Sequence, residues 1–302
     1  MSNTKKEAFL FVHFTDTHPN TPMSEQIYFS VSLDGLTWKT LNNKKPVIIS
    51  EIGEKGIRDP FIIRSHDGKK FYMIGTDLNV FLRPDHWGSA TKNGSHDILV
   101  WESDDLVNWS ETRAVTVSRE DAGCTWAPEV IYDKEQDNYM VFWASRVDYG
   151  KGHHKIFQSR TTDFKTFTPA EVYIERDCDV IDTDIVEHNG VYYRFSKDET
   201  SKCILMAKST SLSGKFEIVD SSLKDVHGVE GPQCCQLPDG RWCLFLDQYG
   251  KNLGYAPFVT DDLDKGQFTK IDADFHTEIQ FRHGGVLTIT MEEYDRLMKA
   301  FS

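Results

Sequence analysis

Three acidic residues stand at the heads of short apolar runs that lie far apart in the chain. Asp59 opens the run DPFIIRSHDGK, Asp182 opens DTDIVEHNG, and Glu230 opens EGPQCCQLPDG. A carboxylate at the start of a buried strand is costly unless something requires it there. If the fold gathers the three, repulsion between like charges shifts at least one pKa, which is typical of functional sites. Such a group can divide acid and base roles between carboxyls, as glycoside hydrolysis requires.

The runs that carry these acids belong to a pattern that recurs along the chain. An apolar run ends in a turn of Asp, Asn or Gly, an aromatic run follows, and a third run ends in Ser or Thr, an acid-rich turn and an aromatic residue. The closing aromatic residues are Trp38, Trp109, Phe167, Phe216 and Phe268. They recur at intervals of roughly 50 to 70 residues, the range of propeller repeats. Four strands per unit in about five units predict an all-β, five-bladed β-propeller.

The two ends of the chain predict how this ring closes. The first unit begins with its second strand near Phe9, whereas the stretch RHGGVLTIT from Arg282 resembles a first strand with nothing after it. We therefore expect N-terminal strands and this C-terminal strand to share the last blade, which leaves no open sheet edge. Thr290 and Glu293 fit the capping box of a short C-terminal helix. Because no Pro- or Ser-rich linker interrupts the pattern, residues 1–302 are expected to form a single catalytic domain.

A propeller would bring the acidic residues together. The first strand of each blade lines the central axis, so the heads of these strands converge at one mouth of the channel. The predicted head positions are Asp59, the segment WAPE at 126–129, Asp182, Glu230 and His283. Taken singly, each acid is an ordinary turn residue. Their occurrence at equivalent positions in three blades favours a functional site.

Composition and charge indicate which classes of binding partner are not expected. The net charge is −13 and no Lys- or Arg-rich stripe is present, so nucleic acid is not expected to bind. No apolar stretch reaches the roughly 18 residues of a membrane span, so no membrane contact is expected. The apolar run after Lys5 and Lys6 is too short for a signal peptide, which predicts a cytoplasmic location, with secretion left open for a trimmed sequence.

The cysteines and the adjacent histidines are not expected to take part in catalysis or to bind a metal. The six cysteines form no CxxC pair, so reduced buried thiols are expected and zinc ligation is not. His153 and His154 are adjacent without a third ligand nearby, which predicts a solvated turn.

The motifs around the strand heads resemble glycoside hydrolase family 43, five-bladed propeller enzymes that act on arabinose- and xylose-containing glycans. The order of WAPEV and EGP is fairly specific, whereas RDP alone is a weak signal. The resemblance implies hydrolysis with inversion, with the base and acid about 6.5–9.5 Å apart to admit a water molecule. It runs from about Phe9 to Thr290 and rests on RDP from Arg58, WAPEV from Trp126, VIDTDIV from Val180, EGP from Glu230 and RHGG from Arg282.

The resemblance also implies roles for the three acids. Asp59 matches the general base that activates water, Asp182 matches the acid that tunes pKa and orients the donor, and Glu230 matches the general acid. Asp184 lies two residues after Asp182 on the same face of the strand and is an alternative for that second role. We prefer Asp182 because it is predicted to be in register with Asp59 and Glu230.

Five further residues are expected around the substrate. Arg58, Trp126, Gln248 and Arg282 are predicted to contact it, with Trp126 as a wall of the sugar pocket. His283 matches a histidine near the propeller axis that, in many members, lies beside a bound calcium ion or ordered water. A metal site at His283, with a structural calcium near the axis, is therefore an expectation, although the reaction requires no cofactor.

Other functions stay open at this point. A non-catalytic glycan-binding propeller would not need three axial carboxylates. Fructan-active family 32 enzymes share the RDP motif but need an Asn-Asp-Pro segment and a Glu-Cys acid, neither of which is found in register. Mannoside phosphorylases need a basic phosphate site, for which Arg58, Arg194 and Arg282 are candidates. The sugar (arabinose, xylose or galactofuranose), exo or endo action and the oligomeric state also stay open.

Overall fold

Strands make up almost all of the regular structure in residues 7–15 and 21–302, the part of the chain that the computed structural model describes. Lys5 and Lys6, which entered the prediction about a signal peptide, lie outside these residues. The strands in chain order are β1 (Glu7–His13), β2 (Tyr28–Ser32), β3 (Thr37–Thr40), β4 (Ile57–Arg64), β5 (Phe71–Asp77), β6 (Asp97–Ser103), β7 (Arg113–Thr116), β8 (Trp126–Asp133), β9 (Asn138–Arg146), β10 (His154–Thr161), β11 (Glu171–Ile174), β12 (Val180–His188), β13 (Val191–Asp198), β14 (Cys203–Ser209), β15 (Glu217–Val219), β16 (Glu230–Gln236), β17 (Trp242–Asp247), β18 (Tyr255–Thr260), β19 (Thr269–Lys270), β20 (His276–Thr277) and β21 (Gly284–Thr290).

The described helices are short. Helix α1 (Met291–Phe301) follows β21 at the C-terminal end. The 3-10 turns span Asn42–Lys44, Ser222–Asp225, Tyr249–Lys251 and Leu263–Lys265. No helix in the described part of the chain is long and apolar enough to cross a membrane.

The strands pair into five sheets, which are the blades of a propeller. Blades 1 to 4 are the antiparallel sheets β4–β7, β8–β11, β12–β15 and β16–β19, and blade 5 has the order β20-β3-β2-β1-β21. The innermost strands adjoin in a closed ring, β4 with β8, β8 with β12, β12 with β16, β16 with β21, and β21 with β4. The predicted all-β, five-bladed propeller is therefore confirmed.

Ring closure uses both ends of the chain, as the sequence predicted. Strand β21 pairs antiparallel with β1 along its whole length, from Glu7 opposite Thr290 to His13 opposite Gly284. The parallel pairing of the two-residue strand β20 with β3 was not predicted, because so short a strand carries no periodicity. The Thr290 hydroxyl accepts from the backbone N–H of Glu293, whose carboxylate accepts from the Thr290 N–H, so the capping box is also confirmed.

The recurring Ser/Thr and acid pattern has a local structural cause. In blade 5, the Ser32 hydroxyl accepts from the Gly35 N–H at 2.8 Å, and the Asp34 carboxylate accepts from the Leu36 and Thr37 N–H groups. Blades 1 and 2 repeat the arrangement with Ser103 and Asp105 and with Thr161 and Asp163. These side chains replace water for the backbone groups of the tight turn, which is why the pattern marks a blade.

Aromatic residues fill the space between neighbouring blades. Phe11 on β1 is fully buried, with ring centroids 5.2 Å from Trp38 of its own blade and 5.4 Å and 5.3 Å from Phe245 and Tyr255 of blade 4. The T-shaped contacts of Phe11 with Trp38 and Phe245 suit aromatic rings. Phe11 therefore joins the closing blade to its neighbour.

We expect Phe11→Ala to lower the free energy of unfolding by about 3–5 kcal/mol, because the cavity would lie between blades 4 and 5. Urea denaturation followed by tryptophan fluorescence measures the change. The control Ile218→Ala removes a side chain that is 64% exposed and should stay within about 0.5 kcal/mol of the wild type. A loss below about 1 kcal/mol for Phe11→Ala would show that this contact does not hold the ring.

Candidate active site

The head of each inner strand of blades 1 to 4 contains a β-bulge. In each, one extra residue interrupts the pairing with the second strand of the blade. The bulged residue has a positive φ in every case: +48° at Asp59, +47° at Ala127, +45° at Asp182 and +57° at Gly231. Bulges re-aim side chains next to active sites, and positive φ at residues other than glycine is a local strain that the surrounding fold must hold.

The bulges correct the predicted register of one acid. Asp59 and Asp182 occupy equivalent positions, but Gly231 is their counterpart in blade 4, so Glu230 stands one residue earlier, level with Arg58 and Trp126. The prediction that all three acids are equivalent was wrong by this one residue. Glycine is required at 231 because a Cβ there would lie 2.6 Å from the His283 ring.

A cavity of about 470 Å³ opens at the strand heads on the propeller axis. Gln248 is not part of its described lining, whereas its neighbours Tyr249 and Asn252 are. The structure therefore gathers all but one of the sequence-predicted residues around one cavity, namely Arg58, Asp59, Trp126, Asp182, Glu230, Arg282 and His283.

His283 lies at the centre of the carboxylates. Its Nδ1 is 3.3 Å from the Asp59 carboxylate and 3.8 Å from that of Asp182, and its Nε2 is 3.9 Å from Glu129. Burial lowers the pKa of His283, but the charge of Asp182 and the hydrogen bonds with Asp59 and Glu129 raise it well above its ordinary value. The imidazolium thus supplies positive charge where three carboxyl groups converge.

The environment separates the pKa values of Asp59 and Asp182. Burial raises the pKa of Asp59, but hydrogen bonds from His283 and Thr76 and the charges of His283 and Arg58 hold it below its ordinary value. Burial raises the pKa of Asp182 to about 7, with the charge of Glu230 adding to it and that of His283 opposing it. At neutral pH, Asp59 is ionised and can accept a proton, whereas Asp182 is close to its titration point.

Two further buried acids adjoin His283: Glu129, which the sequence placed in a strand-head segment without a role, and Asp184, which it offered as the alternative to Asp182. Glu129 and Asp184 are buried and within hydrogen-bonding reach of each other, and Gln233 donates to Glu129 at 2.6 Å. Burial raises the pKa of Glu129 well above its ordinary value and that of Asp184 to about 7. The Asp184 carboxylate also accepts from the Cys234 N–H at 2.8 Å, and Asp184 is not part of the described lining of the cavity.

Glu230 is held by two cations on its cavity side. Lys197 donates to its carboxylate at 2.7 Å, and the Arg282 guanidinium lies 3.8 Å away. Lys197 also contacts Glu199 at 2.6 Å and lies over the Tyr249 ring at 4.0 Å. Burial lowers the pKa of Lys197, but the nearby carboxylates raise it above its ordinary value, so it stays charged.

The missed residues on the second strands lie opposite the strand heads in the folded blades. Lys197 stands opposite Ile181 and Asp247 stands opposite Glu230, each beside a strand head. Asp247 binds Arg282 Nε at 2.7 Å, and burial raises the pKa of Asp247 to about 6 although the charge of Arg282 opposes this. The sequence alone does not predict which residues are paired here, because the β-bulge shifts the register between the two strands.

The wall at Trp126 contains a histidine that was assigned to a turn. His154 begins β10 and is buried, with its ring stacked on Trp126 at a centroid distance of 5.3 Å. Asp179 accepts from its Nδ1 at 2.8 Å, while burial lowers the His154 pKa to about 4. The prediction of a solvated turn fits His153, which is exposed, and was wrong for His154.

The described residues contain no group of side chains arranged around a metal ion at the axis. Among residues 7–15 and 21–302, no group of three or more His, Cys, Asp or Glu side chains is arranged to hold one. His283 faces carboxylates through both ring nitrogens. The expected calcium site at His283 is therefore not confirmed.

Comparison with known proteins gives a family match over nearly the whole chain. Residues 5–295 match a family model described as a probable glycosyl hydrolase domain and related to glycoside hydrolase family 43. An α-L-arabinofuranosidase of Bifidobacterium longum subsp. longum is 33% identical, over 81% of this chain and 28% of that protein. The chain thus spans little more than a quarter of the length of this curated relative.

Solved structures share the propeller at low sequence identity. An α-L-arabinanase of Penicillium chrysogenum complexed with arabinobiose superposes with a TM-score of 0.59 and 16% identity, covering 94% of this chain and 85% of that one. An endo-1,4-β-xylanase of Bacteroides thetaiotaomicron VPI-5482 gives a TM-score of 0.60 and 14% identity, covering 90% and 92%. At sequence identities of 16% and 14%, these superpositions establish a shared fold only.

We expect His283 to be protonated at pH 7 and the buried His13 to be neutral, because carboxylates surround His283 whereas burial lowers the pKa of His13 to about 3. Long-range ¹H–¹⁵N spectra of ¹⁵N-histidine-labelled protein distinguish the two states, and His283→Gln identifies the signal. Because the folded pKa exceeds the unfolded one, the stabilisation from His283 is full below the unfolded pKa of about 6.5 and is lost as pH rises through the folded pKa. A neutral His283 at pH 7 would contradict the charge arrangement.

Proposed function

The chain belongs to the glycosyl hydrolase family related to glycoside hydrolase family 43, and on this basis we propose that it hydrolyses arabinofuranosyl or xylosyl linkages in short oligosaccharides with inversion of configuration. The observation that carries the proposal is the meeting of Asp59, Asp182 and Glu230, from three different blades, around one cavity on the propeller axis. Glycoside hydrolysis by this route needs one carboxyl as acid and another as base.

Asp59 is the general base in this proposal. Its lowered pKa keeps it ionised at neutral pH, and Thr76 and His283 fix its two oxygens. The carboxylate takes a proton from a water molecule as that water attacks the anomeric carbon. A base that is already oriented and ionised needs no reorganisation during the reaction.

Glu230 is the general acid, which protonates the glycosidic oxygen as the bond to the leaving sugar breaks. Lys197 and Arg282 hold its carboxyl in place. Asp182 lies between the two partners: the Gly231 N–H donates to it at 3.1 Å, and it shares His283 with Asp59. We assign Asp182 to orienting the sugar and to tuning the charge of the site.

Arabinofuranosyl linkages are the first choice of substrate. The B. longum relative is named as an α-L-arabinofuranosidase, although this chain corresponds to only 28% of it. The superposed arabinanase and xylanase support pentose-containing glycans in the same fold. Xylosyl linkages are therefore the second choice.

Hydrolysis is favoured over phosphorolysis by the pairing of cations in the cavity. Arg58 binds Glu25 at 2.6 Å and Arg282 binds Asp247 at 2.7 Å. Arg194, the third candidate for a phosphate site, is not part of the described lining and lies over the Phe216 ring at 4.0 Å. These carboxylate partners would compete with a phosphate ion for the arginines.

We expect Asp59→Asn and Glu230→Gln each to reduce kcat by about 10²–10⁴-fold on the preferred oligosaccharide, because each removes one proton-transfer group and a departing sugar needs protonation. A panel of p-nitrophenyl arabinofuranosides, xylosides and galactofuranosides identifies the preferred sugar, and chromatography of the products from the matching oligosaccharide gives the rates. Circular dichroism and thermal unfolding check that the fold is kept.

The matched controls Asp272→Asn and Glu175→Gln change exposed acids outside the cavity and should keep wild-type rates. Near-wild-type turnover by Asp59→Asn or Glu230→Gln would rule out the assigned roles. Binding of arabino- or xylo-oligosaccharides without any cleavage by the wild type would identify a glycan-binding propeller instead.

The first sugar released should carry the anomeric configuration opposite to that of the substrate. A single displacement by a water molecule held by Asp59 inverts the anomeric carbon, whereas a covalent glycosyl-enzyme intermediate would retain it. Proton NMR spectra recorded within the first minutes of hydrolysis separate the two products before mutarotation. Initial release of the retained anomer would require Asp59 to act as a nucleophile.

A further inference from the structure

Trp87 is a large aromatic residue exposed at the mouth of the catalytic cavity. It belongs to the segment between β5 and β6, lines the cavity and is 52% exposed. Single exposed apolar residues are common on protein surfaces. Trp87 differs from such residues because it lines the same cavity as Arg58, Asp59 and Trp126.

Trp87 and Trp126 form two nearly perpendicular aromatic planes. Their ring centroids are 6.0 Å apart with an interplanar angle of 80°. The Arg58 guanidinium lies over the Trp87 ring at 4.9 Å, and the His154 ring stacks on Trp126 at 5.3 Å. Each indole is therefore supported on one face, which leaves an aromatic corner at the cavity.

The supports of this corner are themselves fixed. Arg58 is bound to Glu25 at 2.6 Å and lies 4.3 Å from the centroid of the Phe14 ring. His154 is held by Asp179 through its Nδ1 at 2.8 Å. Neither supporting group can swing away without breaking a charge-assisted hydrogen bond.

The segment that carries Trp87 is also anchored on both sides of it. Arg83 binds Glu54 at 2.6 Å and donates to the Ser89 hydroxyl at 3.1 Å. Ala90 is buried in a small cluster that packs against Trp126, and the Gly94 N–H donates to the Gly123 carbonyl at 2.8 Å. The exposed indole is thus presented by an ordered segment, so binding a ligand to it would cost little conformational entropy.

We propose that Trp87 and Trp126 form a subsite that binds a second, uncharged sugar ring of the oligosaccharide, next to the ring held at the carboxylates. Sugar rings present apolar C–H faces, and aromatic side chains supply a flat apolar surface with little rotamer freedom. Trp87 is exposed, whereas Asp182 is buried at the cavity floor, so the second ring lies at the outer end. This inference rests on the proposed function, because it extends the same cavity towards a disaccharide.

Calorimetric titrations of the Glu230→Gln protein test the subsite without turnover. The probes are arabinobiose, xylobiose and β-1,3-galactobiose, each beside its monosaccharide. Trp87→Ala should raise the Kd of the best-bound disaccharide about tenfold or more and change that of its monosaccharide less than about twofold. Trp87→Phe should recover most of the disaccharide affinity, because it restores an aromatic face.

Tyr149→Ala is the matched control, since Tyr149 is 69% exposed and does not line the cavity. It should leave both affinities unchanged. Equal weakening of disaccharide and monosaccharide by Trp87→Ala would overturn the subsite, as would no weakening or no binding of any probe. If the wild type cleaves nothing but Trp87→Ala still weakens disaccharide binding selectively, the proposed hydrolysis falls and the subsite stands.

Discussion

The buried imidazolium of His283 is the interaction on which the rest of the site depends. Three carboxyl groups, those of Asp59, Asp182 and Glu129, lie within 4 Å of its ring nitrogens. Without a positive charge at this point, burial and mutual repulsion would favour protonation of several of them. The positive charge of His283 helps to hold the pKa of Asp59 below its ordinary value, whereas burial and the charge of Glu230 raise the pKa of Asp182 against the opposing charge of His283. Asp59 therefore stays ionised at neutral pH, as a general base must.

His283 also couples the site to the closure of the ring. It directly precedes β21, which pairs with β1 along its whole length and with which the chain completes blade 5. The acids come from blades 1 to 4, whereas their counter-charge comes from the closing strand. The chemistry of the cavity therefore exists only in the closed ring, and loss of the pairing between β1 and β21 would remove the imidazolium from its carboxylates. Gly231 shows the same coupling at close range, because only glycine leaves room for the His283 ring.

Much of the fold and part of the site could be predicted because their causes are local. The alternation of strands and the Ser/Thr and acid turns depend on neighbouring residues, and they predicted the blades and their number. The heads of the inner strands then identified Asp59, Asp182, Glu230 and His283. Glu129 was placed at a strand head without a role, Asp184 was only the alternative to Asp182, and Lys197 was not assigned to the site. Each owes its position to a partner more than 30 residues away, namely Gln233, Cys234 and Glu230 respectively.

The sequence by itself determined the five-bladed ring, the sharing of blade 5 between the two chain ends, and which acids stand near the axis, since all of these follow from repeated local patterns. Only the tertiary structure decided the register at the strand heads, where bulges set Glu230 one residue before the position of Asp59 and Asp182. It also decided the charge of each group, because a pKa depends on burial and on charges brought from other blades. The expected calcium at His283 is not confirmed, and the partners of this imidazole are carboxylates that only the folded ring brings within reach.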